Sequence, residues 1–426
     1  MSVNDPNANK AGYKETKVGW IPEEWGCAQL SEIALMPGGI KTGPFGSQLH
    51  QEDYVDSGVP VIMPLNMKDG RVVSAGIAQV TEEKAQSLVK QRCENGDILF
   101  ARRGEIGRCA LISRDEIGWL NGTGSLRVRL TVAKALSAFV IRAVGVPREV
   151  HWLNANAVGQ TMLNLNAEII ASLSIPLPPL PEQKKIAEIL STCDEAIEKT
   201  GALIEAKKRQ KKALMQQLLT GRKRLPGFEG EWADVKIGKL MKEVSRPVDW
   251  DDDELYRLVS VRRRSGGLFF REALHGRDIK TKVMHTTEAN DFLISKMQVV
   301  HGAMAMTTEE FAGGHVSGSY ITLVARKGVP IHMPFFDFLC RTKWLYHLTF
   351  ISSYGVVIEK MTFNLRDFLK KEISIPPTTE EQERICEVLQ TFERGEFVLD
   401  QKLAALKQQK KALMQKLLTG QVRVKV

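Results

Sequence analysis

Apolar residues recur at alternating spacings of four and three in two segments of the chain. In the first the positions are Ile186, Leu190, Cys193, Ile197, Thr200, Ile204, Lys207, Lys211, Leu214 and Leu218. In the second they are Ile385, Leu389, Phe392, Glu396, Leu399, Leu403, Leu406, Lys410, Leu413 and Leu417. A 3.5-residue period held over about 33 residues predicts a coiled-coil seam on one long helix. Prolines precede both segments (Pro176, Pro178, Pro179 and Pro181; Pro376 and Pro377), where a helix arriving from upstream would have to stop. Thr379 lies three residues before Gln382, the spacing of a capping box. Gly221 and Gly420 close the segments where a left-handed residue is wanted. Helices of about 40 residues would be about 60 Å long.

The two segments are copies. Glu182–Gly221 recurs without a gap 199 residues later as Glu381–Gly420, sharing the string Gln-Lys-Lys-Ala-Leu-Met-Gln-x-Leu-Leu-Thr-Gly. A repeat on this scale organises the whole chain. Each helix therefore has a natural partner within the same molecule. Side by side in parallel, Lys211 would face Lys410, a like-charge pair. Packed antiparallel and end-matched, Lys207 faces Glu396, while Lys211 and Lys410 lie opposite Phe392 and Cys193. Opposite charges on a seam fix register and like charges oppose it, so the antiparallel arrangement is expected.

In front of each helix the pattern changes to short alternating runs between glycine-rich turns. Val59–Met63, Asp97–Ala101 and Leu126–Leu130 read as strands in residues 15–174. Leu258–Val261, Gln298–Val300 and Tyr320–Val324 do so in residues 225–372. The two stretches open alike, Trp25, Leu30 and Ile33 matching Trp232, Ile237 and Leu240 at an offset of 207. The expected organisation is a flexible 1–14, a globular domain 15–174, a spacer helix 175–224, a second domain 225–372, and a second spacer helix with its tail, 373–426. The class is mixed α/β: two globular domains joined by two long helices in an antiparallel intramolecular coiled coil, with pseudo-twofold character. The residues after Gly420 correspond to the connection Arg222–Leu225.

Composition adds a few bounds. The 426 residues are 43% hydrophobic, enough for two substantial cores. No apolar run approaches the roughly 18 residues of a membrane span, and the polar start lacks the apolar core of a signal peptide. The six scattered cysteines form no metal-ligand or disulfide spacing, which fits reduced thiols in the cytoplasm. A formal charge of +9 points toward a polyanion.

Catalytic signatures are not evident. Pro37-Gly-Gly-Ile-Lys-Thr42 has the wrong spacing for a phosphate loop, and no Gly-x-Gly-x-x-Gly follows a strand. Ile375-Pro-Pro-Thr378 lacks the carboxamide and aromatic of an amino-methyltransferase site. The histidines do not pair at metal-ligand spacings, and Asp251–Glu254 reads as a solvated loop. Neither a catalytic residue nor a metal site is expected.

Basic residues beside glycines carry the binding expectation. Lys41, Ser47 and Gln48 share one loop with Gly43 and Gly46. Arg102, Arg103 and Arg108 follow the apolar run Ile98–Ala101, and Arg262, Arg263 and Arg264 precede Gly266 and Gly267. Arginine can hold a phosphate or grip guanine O6 and N7 together, and glycine lets backbone approach. From these residues three readings stay open: a DNA-recognition scaffold, a structural adaptor binding only proteins, or a self-sufficient DNA-modifying enzyme with a degenerate motif.

Together these motifs resemble the specificity subunits of type I restriction-modification systems, over nearly the whole chain. The strongest carriers are Ile175–Gln183 and Ile373–Gln382, each running into a helix that ends Lys-Ala-Leu-Met-Gln-x-Leu-Leu-Thr-Gly. Trp20–Trp25, Gly43–Ser47, Gly96–Gly104 and Gly314–Tyr320 support it. The resemblance implies two target recognition domains, each reading half of a bipartite, asymmetric site in double-stranded DNA. It implies two methyltransferase subunits, which use S-adenosylmethionine, and restriction subunits that use ATP and Mg2+; this chain itself would bind no cofactor. One difference separates the halves. The first has no sequence counterpart of Gly314–Tyr320, and the second has none of Gly43–Ser47 or Gly96–Gly104.

Overall fold

A computed structural model describes residues 5, 7–159 and 163–425 and divides the chain into two compact units, 1–201 with 402–426 and 202–401. The division falls inside both spacer helices, Leu180–Leu218 and Thr379–Leu418. All twenty seam positions predicted from the heptad pattern are buried or half-buried, which confirms the period.

In the first unit one four-stranded antiparallel sheet runs in the order Cys109–Leu111, Ile98–Ala101, Ser125–Val128, Ile40–Thr42. A second sheet runs Leu120–Asn121, Val59–Ile62, Ala78–Val80, Tyr54–Val55, its first pair parallel. Successive side chains on a strand point to opposite faces. Ile98 and Phe100 therefore join the core beneath helix Ser137–Val144 and the spacer residues Ile186, Leu190, Leu417 and Leu418. Leu99 and Ala101 join a separate core with Ile62 and Met67 on the other face. A strand covered on both faces loses the apolar–polar alternation, and Ile98–Ala101 is buried throughout.

The second unit repeats this plan. Its first sheet runs Met241–Val244, Tyr320–Ala325, Phe292–Ser295, Met304–Met306; its second runs Leu268–His275, Leu255–Val261, His315–Ser317, Met284–Thr286. Here too one pair is parallel, Leu255–Val261 with His315–Ser317. Phe292 and Ile294 face the helical core with Ile385 and Leu389, while Leu293 faces the second sheet.

Within each unit the helix segments run antiparallel. In the first unit Lys410 Nζ lies 2.5 Å from Asp194 Oδ1. In the second Lys211 Nζ lies 2.8 Å from Glu396 Oε2 and 3.6 Å from Glu393 Oε1. The orientation is the one expected, but the pairing differs. Lys211, not Lys207, takes Glu396, because a seam lysine only about one-fifth exposed reaches along the helix to carboxylates. Lys207 instead sits over the Phe392 ring, 5.6 Å from its centroid.

Four further expectations change. Gln298–Val300 is not a strand: Val299–His301 forms a single 3-10 turn closed by Gly302 at φ 73°. An apolar run this short cannot distinguish a strand from a buried turn. Residues 7–14 are not loose. Asn7 is buried, its Nδ2 donating to the carbonyls of Trp20 and Thr419, and the Tyr13 hydroxyl donates to the Gly420 carbonyl at 2.6 Å. The Thr379–Gln382 capping box is not formed either. Thr378 Oγ1 accepts from the Glu381 amide, while the buried Gln382 donates to the Pro330 and Pro376 carbonyls and accepts from the His332 amide. Gln183 does the same in the first copy, bonding the Pro178 carbonyl and the Leu136 amide. Both glutamines join helix to domain.

The fourth change concerns the difference between the halves. Residues 118–125 are the structural counterpart of Gly314–Tyr320: each forms a strand parallel to one strand of the second sheet (Val59–Ile62 and Leu255–Val261 respectively), turns, and enters the first sheet. Gly96–Gly104 likewise has its counterpart from Asn290 onward. Asp97 and Asp291 are both buried, each accepting an amide three residues upstream (Glu94, Glu288), and Asn290 at φ 66° stands where Gly96 has φ 88°.

The helix ends are joined by matching ion pairs. Buried Glu182 accepts from Arg423 at 2.8 and 2.9 Å and from Trp25 Nε1 at 2.9 Å. Buried Glu381 accepts from Arg224 at 2.5 and 2.7 Å. Arg224 and Arg423 stand 199 residues apart, so the tail does correspond to the inter-domain connection.

Candidate nucleic-acid interface

In the first unit four loops meet at the end of the two sheets. The amide of Gly43 donates to the Ser125 carbonyl, and a Cβ on Gly43 would collide with the Gly122 carbonyl oxygen. A Cβ on Gly122 would itself meet Ile62 O and Met63 Sδ at 2.7 Å. The glycines are thus fixed by close backbone packing between loops. The Arg102 amide donates to the Gly124 carbonyl, and Arg108 Nη1 donates to the Pro64 carbonyl at 3.3 Å. Loops 43–48, 63–66, 102–108 and 122–124 therefore form one surface.

The expected residues fall on it with different freedom. Lys41 is half-buried in strand Ile40–Thr42, cross-strand from Arg127. Ser47 and Gln48 are exposed, with Gln48 Oε1 accepting from the Phe45 amide at 3.2 Å to close the turn. Arg103 is exposed. Arg102 is partly held: its Nε donates to the Leu165 carbonyl at 3.0 Å, and burial, then the neighbouring Arg103, lowers its pKa. Arg108 is also paired with Glu105. Phe45 and Leu65 stand more than half exposed on the same surface. By contrast Arg129 and Arg127 are turned inward, Arg129 forming a fork with buried Asp97 at 2.7 and 2.8 Å.

In the second unit Arg262, Arg263 and Arg264 do not occupy the place of Arg102–Arg108. They lie in the hairpin between Leu255–Val261 and Leu268–His275. That hairpin still touches the equivalent loop: the Arg264 and Ser265 amides donate to the His301 and Gly302 carbonyls at 2.7 and 2.9 Å. All three arginines are exposed, and Arg262 is braced over the Phe269 ring with Nη1 on the Leu268 carbonyl. Lys296 takes the position of Arg102. Its amide donates to the Ser319 carbonyl and its carbonyl accepts from Phe363, as Arg102 does with Gly124 and Leu165. Sequence reading passed over Lys296, although it follows Phe292–Ser295 just as Arg102 follows Ile98–Ala101.

Each unit thus presents a set of loops bearing cations and polar groups beside tightly packed backbone. Such a surface fits a phosphate backbone and base edges better than it fits a small molecule. A cleft of about 1370 Å³ in the first unit lies elsewhere, lined by Arg71, Arg148 and Lys410 among others. Among the described residues no group of His, Cys, Asp or Glu is placed to hold a metal, and no helix is long and apolar enough to cross a membrane.

A family model described as the type I restriction modification DNA specificity domain matches residues 22–208. The putative type I restriction enzyme MjaX specificity subunit of Methanocaldococcus jannaschii is 25% identical, the match covering 97% of each chain. The crystal structure of a type I restriction-modification S subunit from M. genitalium superposes with TM-score 0.57 at 16% identity, covering 92% of this chain and 96% of that one. The HsdS subunit from Thermoanaerobacter tengcongensis does so with TM-score 0.50 at 18% identity, covering 94% and 98%. At these identities the solved structures share the fold.

Proposed function

We propose that the chain is a type I restriction-modification specificity subunit, the non-catalytic subunit that reads a bipartite, asymmetric site in double-stranded DNA. The observation that carries this reading is the pair of matching loop surfaces, one per unit, built on one plan and furnished with different side chains. Different side chains on one scaffold read different half-sites, so the target is not a palindrome.

Arg103 and Arg263, exposed, supply phosphate contacts that set position without reading sequence. Lys41, Ser47, Gln48, Arg102 and Arg108 in one unit, and Arg262, Arg264 and Lys296 in the other, lie close to packed backbone. There a bidentate arginine or an amide distinguishes bases by their major-groove edges. The spacer helices carry the partners: methyltransferase subunits binding S-adenosylmethionine, and restriction subunits using ATP and Mg2+, in the cytoplasm.

The test is duplex binding by the chain assembled with its methyltransferase partner, measured across salt concentrations. Binding should weaken with salt at a log–log slope of about −0.9 per phosphate contacted, and one asymmetric bipartite sequence should compete best. Binding indifferent to sequence and salt would remove the reading in favour of a protein-only adaptor. Methylation by the purified chain alone would remove it in favour of an enzyme.

A further inference from the structure

Two charged networks occupy equivalent places in the two units. In the first, Arg142 on helix Ser137–Val144 donates from Nη2 to Asp194 Oδ2 at 3.2 Å and to Ser191 Oγ at 2.7 Å. Asp194 also receives Lys410 from the other spacer helix at 2.5 Å. In the second, Arg341, which ends helix Met333–Cys340, donates from Nη1 to Glu393 at 2.6 Å, and Glu393 and Glu396 receive Lys211. Arg142 and Arg341, Asp194 and Glu393, and Lys211 and Lys410 are each separated by 199 residues. The offset runs through the helices, which are near-copies, and through the domains, which otherwise differ.

These arginines are the domains' own side chains. Each grips a carboxylate on the helix that follows its domain, and that carboxylate grips a lysine on the opposing helix. One network therefore fixes three elements at once: the recognition domain, its helix and the paired helix. It also explains Lys211 and Lys410 on a mostly apolar seam, where an unmatched charge would be costly. The fixing is directional, since a guanidinium donates through a planar fork that a rotated domain could not satisfy. Composition differs between the two. Arg142 and Lys410 share the single carboxylate of Asp194, whereas Arg341 and Lys211 meet Asp337, Glu393 and Glu396.

We infer that Arg142 and Arg341 are positioning residues that orient each recognition domain on the paired helices and so set how strictly the spacing between half-sites is read. The inference rests on the DNA-recognition reading. Neither arginine belongs to the loop surfaces above, so neither contributes to the choice of bases.

The experiment compares the full chain, bound to its methyltransferase partner, with Arg142→Met and Arg341→Met on duplexes whose spacers differ by single base pairs. Each added pair turns the far half-site by about 34°. Wild type should show a sharp spacer optimum. In each variant, binding one pair away from the optimum should rise relative to the optimum by at least about twofold, the lower end of coupling within one ion network. Half-site sequence preference should stay unchanged, which a general loss of structure would not allow. Arg142→Lys and Arg341→Lys keep the charge without the fork and should fall between; they serve as the readout if a methionine variant does not fold. A folded variant with the wild-type spacer profile overturns the inference. Absence of any spacer optimum in wild type would instead overturn the DNA reading itself.

Discussion

Lengthening both spacer helices by one heptad tests whether they measure the DNA. The insertion points are after Gly201 and after Gln401, the boundaries of the two units, which leave both charged networks intact on either side. Seven residues at about 1.5 Å each lengthen each helix by about 10.5 Å, equal to about three base pairs at roughly 3.4 Å. Three pairs also turn the far half-site by about 100°, since a duplex turn takes about 10.5 pairs. A whole heptad keeps the seam in phase and drifts it by only about 20°. The protein should therefore fold normally and lose its original site. On a site with a spacer three pairs longer, binding should return, weakened by the uncompensated twist. Fluorescence anisotropy over a ladder of spacers, with the methyltransferase partner present, reads the optimum. An optimum that stays at the original spacer would refute the idea that the helices set distance. Insertion in one helix alone forces one of the two networks, that of Lys211 or that of Lys410, out of register with its carboxylates, and should lower the melting temperature as well.

Arg103→Ala should reduce the salt slope by about one unit with no change in melting temperature, whereas Arg102→Ala should also cost about 1 kcal/mol of stability, because the Leu165 carbonyl loses its donor; chemical denaturation and salt titration separate the two. Replacing residues 15–174 with another recognition domain should change one half-site and leave the other, as read by sequencing the methylated sites. Burial pushes the Cys93, Cys109 and Cys386 thiols up to about 12 and raises that of Cys340 well above its ordinary value, so at pH 8 iodoacetamide should modify Cys27 and Cys193 first, as followed by mass spectrometry of the native protein. Asn290→Gly should be tolerated, while Asn290→Val should cost about 1–2 kcal/mol in urea denaturation, since a β-branched residue resists φ 66°.

What could be read from the sequence followed its periodicities. The heptads gave both helices, their seam and their orientation, because period 3.5 survives any detail of side-chain pairing. Ile98–Ala101, Leu258–Val261 and Tyr320–Val324 stood out as apolar runs, and each lies in a strand. Specific partners were less legible. Lys211 was placed opposite Phe392 by register alone, yet a lysine spans more than a helical turn and goes where carboxylates are. The equivalence of the halves was hidden by substitutions that preserve geometry and discard identity. Asn290 meets a left-handed backbone that Gly96 meets elsewhere, and Lys296 offers the same amide and carbonyl as Arg102. Backbone hydrogen bonds specify those positions, and backbone leaves little trace in residue type. For the same reason the residue types did not show that Arg262–Arg264 lie on a hairpin, apart from the place of Arg102–Arg108.

The first unit is discontinuous, and this bears on how the chain folds as it leaves the ribosome. Residues 202–401 can complete their core as one contiguous stretch. The core of the first unit needs Leu417 and Leu418 against Ile186 and Leu190, and Asn7 and Tyr13 against Thr419 and Gly420. About 200 further residues must be made before those partners exist, a delay of about 10–40 s at ordinary elongation rates. The half synthesised first is therefore the half that finishes last, with the apolar face of its spacer helix waiting in the meantime for a chaperone or for the nascent chain to catch up.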